Sequence, residues 1–177
     1  MKKITYILFL LIASSSYSQV KWMNLEQAIE AQRNQPRKIL IDFYIDSCEP
    51  CKIMAKNTFN HPIIAKYLNE NYYPVKFNAE SKENITLFGR TFSNSNQVDH
   101  KGKNSLHDFA KFMNVTTIPT TVFLDEQSMP ITILQGALTA KEMEPYIPFI
   151  AEDKYKKINT LEQWENYQKK FKSTIKD

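Results

Sequence analysis

Residues 39–52 read ILIDFYIDSCEPCK. The first half is a nearly continuous apolar, β-branched run, as expected of a central strand covered on both faces. Asp42 interrupts it, and a carboxylate in such a strand needs a reason. The second half holds the chain's only two cysteines, Cys48 and Cys51. A structural staple, half of a metal site and a working redox couple are the three uses to weigh. A bridge between them closes a loop of a few residues and removes little entropy from the unfolded chain, so it is a poor staple. Zinc sites use the same spacing, so the pair by itself does not separate metal from redox chemistry.

Working outward, KIMAKNTF (residues 52–59) can continue as helix, which places the pair where a central strand ends and a helix begins. A cysteine there faces unpaired N–H groups and the positive end of the helix dipole, and both favour the thiolate. Cys48 is then expected to be the exposed nucleophile, and Cys51, one turn further in, the more buried resolving thiol. Before the motif, NLEQAIEAQR (residues 24–33) has helical spacing with Asn24 as N-cap. After it, HPIIAKYLNENY reads as helix and YYPVKFNAE as a strand at an edge or beginning at Pro74. Residues 81–104 are polar and read as an inserted hairpin around Gly89 followed by a loop; this insertion either reaches towards the cysteines or is decoration. SLHDFAKFMNV is helical, TTIPTTVFLDEQSMPITILQG gives two strands with a turn at residues 125–129, and two helices close the chain. The first of those is interrupted by Pro145 and Pro148. This order predicts an α/β fold: a mixed central sheet with helices on both faces.

Charge and composition narrow the function. Hydrophobic residues make up 42% of the 177 and charged residues 24%, which excludes a disordered chain. The formal charge of +4 includes Lys2 and Lys3; without them 21 basic residues face 19 acidic ones. No basic stretch is interleaved with stacking aromatics, so nucleic acid is not an expected partner. Residues 1–18 have the layout of a cleavable signal peptide: two lysines, an apolar run of about ten residues and a small-residue end before Gln19. That run is shorter than the roughly twenty residues a membrane helix needs. The expectation is export to the periplasm, no stable membrane insertion, and a single domain over residues 19–177 with a helical extension from about residue 152. Two cysteines are fewer than the four to eight that staple small exported proteins.

The strand–Asp–aromatic run, Cys48-Glu49-Pro50-Cys51-Lys52 and the downstream TTIPTTVFLD together resemble the thioredoxin superfamily. KNTFNHPIIAKYLNENYYPVKFNAE looks closest to proteins related to the C-terminal domain of the transmembrane thiol:disulfide interchange reductases. The resemblance covers roughly residues 24–150. It implies a thioredoxin-like fold in which Cys48 attacks and Cys51 resolves. It also implies a cis-proline at Pro119 beside the cysteines, and Ile118 offering its backbone to an extended substrate. Glu49 and Pro50 would border that substrate. Asp42 matches the buried acid and Lys76 its frequent lysine partner, a pair able to relay the proton of Cys51.

The chain departs from the family pattern at two positions. Ser47 stands where a tryptophan is usual and Glu49 where a glycine is usual. A carboxylate at Glu49 opposes thiolate formation at Cys48, and a less stabilised thiolate makes a weaker oxidant. The reading is therefore an exported thiol:disulfide oxidoreductase acting as a reductase of protein disulfides. It needs no bound cofactor or metal, is fed by a membrane-associated or soluble redox donor, and is monomeric, since no separate dimerisation segment is present. Its rivals are a Cu(I)-binding or copper-site assembly protein using the same thiolates, a disulfide-donating oxidase or isomerase, and a binding module that keeps the fold without the activity. The histidines show no metal-ligand spacing: His61 reads as helix-start chemistry, His100 and His107 as surface residues.

Overall fold

The computed structural model describes residues 19–94 and 105–176. The expected signal peptide, and the stretch of the insertion that contains His100, lie outside them. Helix α1 (Leu25–Asn34) begins at a capping box in which Asn24 accepts the Gln27 N–H and the Gln27 side chain accepts the Asn24 N–H. It leads into β1 (Lys38–Tyr44), buried at every position but Tyr44. Next come α2 (Glu49–Met54), a π-helical turn (Ala55–Phe59), α3 (Pro62–Asn71) and β2 (Tyr72–Asn78). The hairpin β3 (Ile85–Leu87) and β4 (Arg90–Phe92) follows, then α4 (Asp108–Phe112), β5 (Thr120–Leu124) and β6 (Pro130–Gln135). Helices α5 (Ala140–Met143), α6 (Tyr146–Ala151) and α7 (Leu161–Lys170) close the chain, with a 3-10 turn, Lys154–Lys156, before α7.

The sheet order is β2-β1-β5-β6. Strand β1 runs parallel to β2 and antiparallel to β5, which is antiparallel to β6. Side chains alternate across β1. Ile39, Ile41 and Phe43 join one core with α1, the hairpin and α4, while Leu40 joins a second core with Met54, Phe59, α3, α5 and α6. Helices therefore cover both faces of a mixed sheet, as expected. Pro74 sits in edge strand β2, where its carbonyl accepts the Met23 N–H at 3.0 Å. Pro145 breaks the penultimate helix into α5 and α6, whereas Pro148 lies in the first turn of α6, where a missing N–H costs no bond.

Three local expectations are corrected. Beyond Met54 the helix widens into a π turn, with the Asn60 N–H donating to the Ala55 carbonyl at 3.1 Å. Met54 before the turn and Phe59 at its end are both buried in the same core. His107 is fully buried rather than on the surface. It is the N-cap of α4: its Nδ1 accepts the Phe109 N–H at 3.1 Å and its Nε2 lies 2.8 Å from the Glu83 carbonyl. That pairing assigns the Nε2–H tautomer, and the ring packs on Phe77. His61 does stand at the start of α3, but its side chain makes no cap bond.

The hairpin is where the sequence placed it, with Phe88 and Gly89 both at positive φ in its two-residue turn. Its tip lies beside α1 and the β5–β6 turn, around a cavity lined by Ile29, Gln32, Leu87, Phe88 and Ser128. That is the end of the sheet where β1 begins, opposite the cysteines. The base of the following loop is pinned by Asn94, whose amide donates to the Ser105 carbonyl at 3.0 Å.

Candidate active site

The site forms at the end of the sheet where β1 finishes. The Cys48 N–H donates back to the Ile45 carbonyl at 3.2 Å, turning the chain sharply into α2. Cys48 is the N-cap, in extended conformation, and its Sγ accepts the Cys51 N–H at 3.1 Å. Pro50 occupies the first turn of α2, where it forfeits no hydrogen bond. The sulfurs of Cys48 and Cys51 are bonded, S–S 2.08 Å with Cα atoms 5.3 Å apart. On reduction the same N–H would face the Cys48 thiolate, a charge-assisted bond that favours it over the thiol. The expected contrast in exposure is not seen: Cys48 is 9% and Cys51 7% exposed. In the bonded state each sulfur covers the other, so position on the helix, not accessibility, distinguishes them.

Glu49 points to solvent, and its carboxylate lies 3.5 Å from the Lys52 ammonium, one turn on. Water and that cation both weaken its effect on the Cys48 sulfur.

Asp42 lies in the middle of β1, paired with Lys76 of β2 on one side and Thr121 of β5 on the other. Alternation turns it to the face of Leu40, the face that α2 covers. It is 3% exposed, and burial pushes its carboxyl up to about 7, against the opposing pull of the Lys76 charge. The Lys76 ammonium rests over the Tyr44 ring, 4.7 Å from its centroid. A small pocket of about 160 Å³ brings Lys76 and Tyr44 together with Cys51, Lys52 and Asp46. Lys76, one of the two sequence-predicted relay residues, thus lies beside Cys51, and Asp42 is its neighbour across the β1–β2 pairing.

Because β5 runs antiparallel to β1, its first residue, Thr120, pairs with Phe43 near the end of β1. Ile118 and Pro119 therefore emerge at the cysteine end of the sheet, and the peptide bond between them is cis. Gly136, at φ 92°, closes β6 and donates its N–H to the Pro119 carbonyl at 2.8 Å.

Two side chains here were not legible from sequence. Thr121 is fully buried beside Asp42, and its hydroxyl finds no partner among the described residues. Gln135, the last residue of β6, bonds along the loop that precedes Ile118. A single polar residue ending an apolar strand carries no signal of its partners. Among the described residues no three His, Cys, Asp or Glu side chains gather as a metal-binding group.

A thioredoxin-like domain model matches residues 25–151, and the chain belongs to that family. No curated protein sequence matches it. Among solved structures it is similar to a thioredoxin-fold protein from Helicobacter pylori, 17% identical over 76% of this chain and 81% of that one, with a TM-score of 0.58. It is also similar to a protein described as DsbH oxidoreductase, 12% identical over 84% and 95%, TM-score 0.56. A third is a putative disulphide-isomerase from Bacteroides thetaiotaomicron, 18% identical over 76% and 95%, TM-score 0.55. At these identities the likeness is one of fold. The family, together with a bonded CxxC pair at a helix N-terminus, makes the chain a thiol:disulfide oxidoreductase.

Proposed function

We propose that this member of the thioredoxin-like family is an exported reductase of protein disulfides, working as a monomer in the periplasm. The observation that supports the reading is the bonded Cys48–Cys51 pair at the start of α2, with Lys76, the strand partner of the buried Asp42, beside Cys51.

In the reduced protein the Cys48 thiolate attacks one sulfur of a substrate disulfide. A Cys48–substrate disulfide forms, and the other substrate sulfur leaves with the electron pair. An extended segment of the substrate lies along the backbone of Ile118 beside Pro119, with Glu49 and Pro50 bordering it. Cys51 then gives its proton, through water, to the Asp42 carboxylate, whose charge Lys76 steadies. The resulting thiolate attacks the Cys48 sulfur, the mixed disulfide breaks, and the substrate departs as a thiolate. Two electrons have moved from the Cys48–Cys51 dithiol to the substrate. A dithiol donor, membrane-associated or soluble, restores the pair by the reverse exchange. A carboxyl near 7 suits this role, because the ideal base titrates close to the working pH. A base behind Cys51 speeds the step that releases reduced substrate and equally its reverse, so the reduction potential sets the direction.

The test is the reduction potential of Cys48–Cys51 by equilibration with glutathione, with Cys48→Ser as control. The expected value is about −240 mV or lower. A value near about −120 mV would assign disulfide donation instead. Failure to form a reversible disulfide, with Cu(I) retained by the thiols, would replace the redox reading by the copper one.

A further inference from the structure

The loop ahead of β5 can be followed bond by bond. The Thr116 and Thr117 N–H groups both donate to Gln135 Oε1, each at 3.3 Å. The other end of that amide, Gln135 Nε2, donates to the Asn114 carbonyl at 2.7 Å. Thr120 Oγ1 lies 2.7 Å from the Thr117 carbonyl and 2.8 Å from Gln135 Oε1, so its one hydrogen is shared between two acceptors. Pro119 has no N–H, and its carbonyl is taken by the Gly136 N–H.

What remains is Ile118. Among the described residues neither its N–H nor its C=O has a hydrogen-bond partner, and the β1–β5 ladder stops at Thr120. A residue with both backbone groups unpaired, half-buried at the cysteine end of a sheet, can accept and donate one bond each to an extended chain. Its neighbours cannot offer the same pair, because their N–H groups are used or missing. The agent that uses them is one exposed side chain from a different strand.

We propose that Gln135 is the positioning residue of the substrate-docking loop: it fixes Asn114, Thr116 and Thr117 so that Ile118 alone presents a free peptide, and so favours protein disulfides over small ones. The inference rests on the reductase reading above. A protein substrate has a backbone to pair with Ile118. A compact disulfide such as glutathione disulfide needs only access to Cys48, so it gains little from an ordered loop. Loosening the loop raises the ordering entropy that a protein substrate must overcome on docking and leaves the sulfur chemistry unchanged.

The experiment compares Gln135→Met, which keeps length and removes every bond, with Gln135→Glu, which keeps the acceptor for Thr116 and Thr117 but turns an oxygen instead of a donor towards the Asn114 carbonyl. For insulin disulfides, KM in Gln135→Met rises about tenfold, the scale of a few lost hydrogen bonds, with kcat little changed. Gln135→Glu recovers most of it. The rate with glutathione disulfide is the same in all three proteins. Amide exchange read by NMR gives a signal independent of activity: Thr116 and Thr117 are protected in the parent protein and exchange faster in Gln135→Met. Equal losses with insulin and glutathione disulfide, or no loss with either, overturn the proposal. If the parent protein reduces neither, the reductase reading falls, and unaltered protection of Thr116 and Thr117 in Gln135→Met would by itself show that Gln135 does not hold the loop.

Discussion

Asp42 and Glu49 are both carboxylates near the same cysteines, and burial gives them opposite weight. Asp42 is buried and its folded-state carboxyl lies near 7, above the ordinary value of about 3.9 that it regains on unfolding. The native state therefore holds a proton that the unfolded chain has lost between those values. Its contribution to stability falls as pH rises from about 4 to 7, by an amount on the order of a few kcal/mol, and stays low above that range. Asp42→Asn should remove this slope: thermal melts of the variant and the parent should converge near pH 4 and diverge in the variant's favour by pH 8. The same variant should slow release of a preformed Cys48 mixed disulfide, most strongly above pH 7, where the parent carboxylate is ionised. Glu49 is exposed and partnered by Lys52. Glu49→Gln should therefore shift the reduction potential upward by less than about 30 mV, measured against glutathione. A larger shift would mean that the charge reaches the sulfur through less water than its position implies.

Among elements, the short ones depend most on side chains far away in sequence. Helix α5 has four residues and cannot persist by its own hydrogen bonds. It is held by a capping box at Thr139 and by Glu144, which follows it and receives the C-terminal tail. The Ser173 hydroxyl and the Thr174 N–H and hydroxyl all donate to Glu144, and Ile175 is buried in the adjoining core. Burial opposes ionisation of Glu144, but those donors outweigh it and hold the carboxyl below its usual range. The sign follows from the lowered value: the stabilisation is present above the unfolded value near about 4.3 and is lost as pH falls through the folded one. Glu144→Gln should cost about 1–3 kcal/mol at pH 7 by urea unfolding, and the gap should narrow in acid. Nothing in residues 140–144 announces this partner, because the donors lie some thirty residues on.

At the scale of the whole molecule, one buried cation ties the beginning of the sheet to the C-terminal helices. Lys38 opens β1 and is 3% exposed; its ammonium lies 2.6 Å from Glu126 in the β5–β6 turn and 2.8 Å from Asp153 after α6. Removing both anions leaves that charge desolvated and unpaired. Glu126→Gln combined with Asp153→Asn should therefore cost about 3–5 kcal/mol by denaturant unfolding, whereas Lys38→Met should be close to neutral. Equal costs for the two would show that water reaches the lysine. Aromatic packing completes the attachment: Trp164 of α7 lies against Tyr146 and Phe149 of α6 at centroid distances of 4.8 and 4.7 Å.

The sequence by itself determined the mixed sheet, the cysteine pair at a strand–helix junction and the acid within β1. Each is written in local spacing: continuous β-branched runs, a two-residue gap between cysteines, one polar residue in an apolar strand. It also placed the hairpin turn, since Phe88-Gly89 sits between two short alternating runs. Only the tertiary structure decided which partners those residues meet. His107 looked like a surface residue because a lone histidine says nothing of the Glu83 carbonyl and Phe77 ring that enclose it. Thr121 and Gln135 carried no signal for the same reason: what surrounds each is set beside it by the pairing of strands. The direction of the hairpin tip, away from the cysteines, likewise follows from how β3 packs on α1. Periodicity along a chain encodes which face is buried, whereas hydrogen-bond partners depend on distances across the fold, and those are fixed only once the sheet has closed its register.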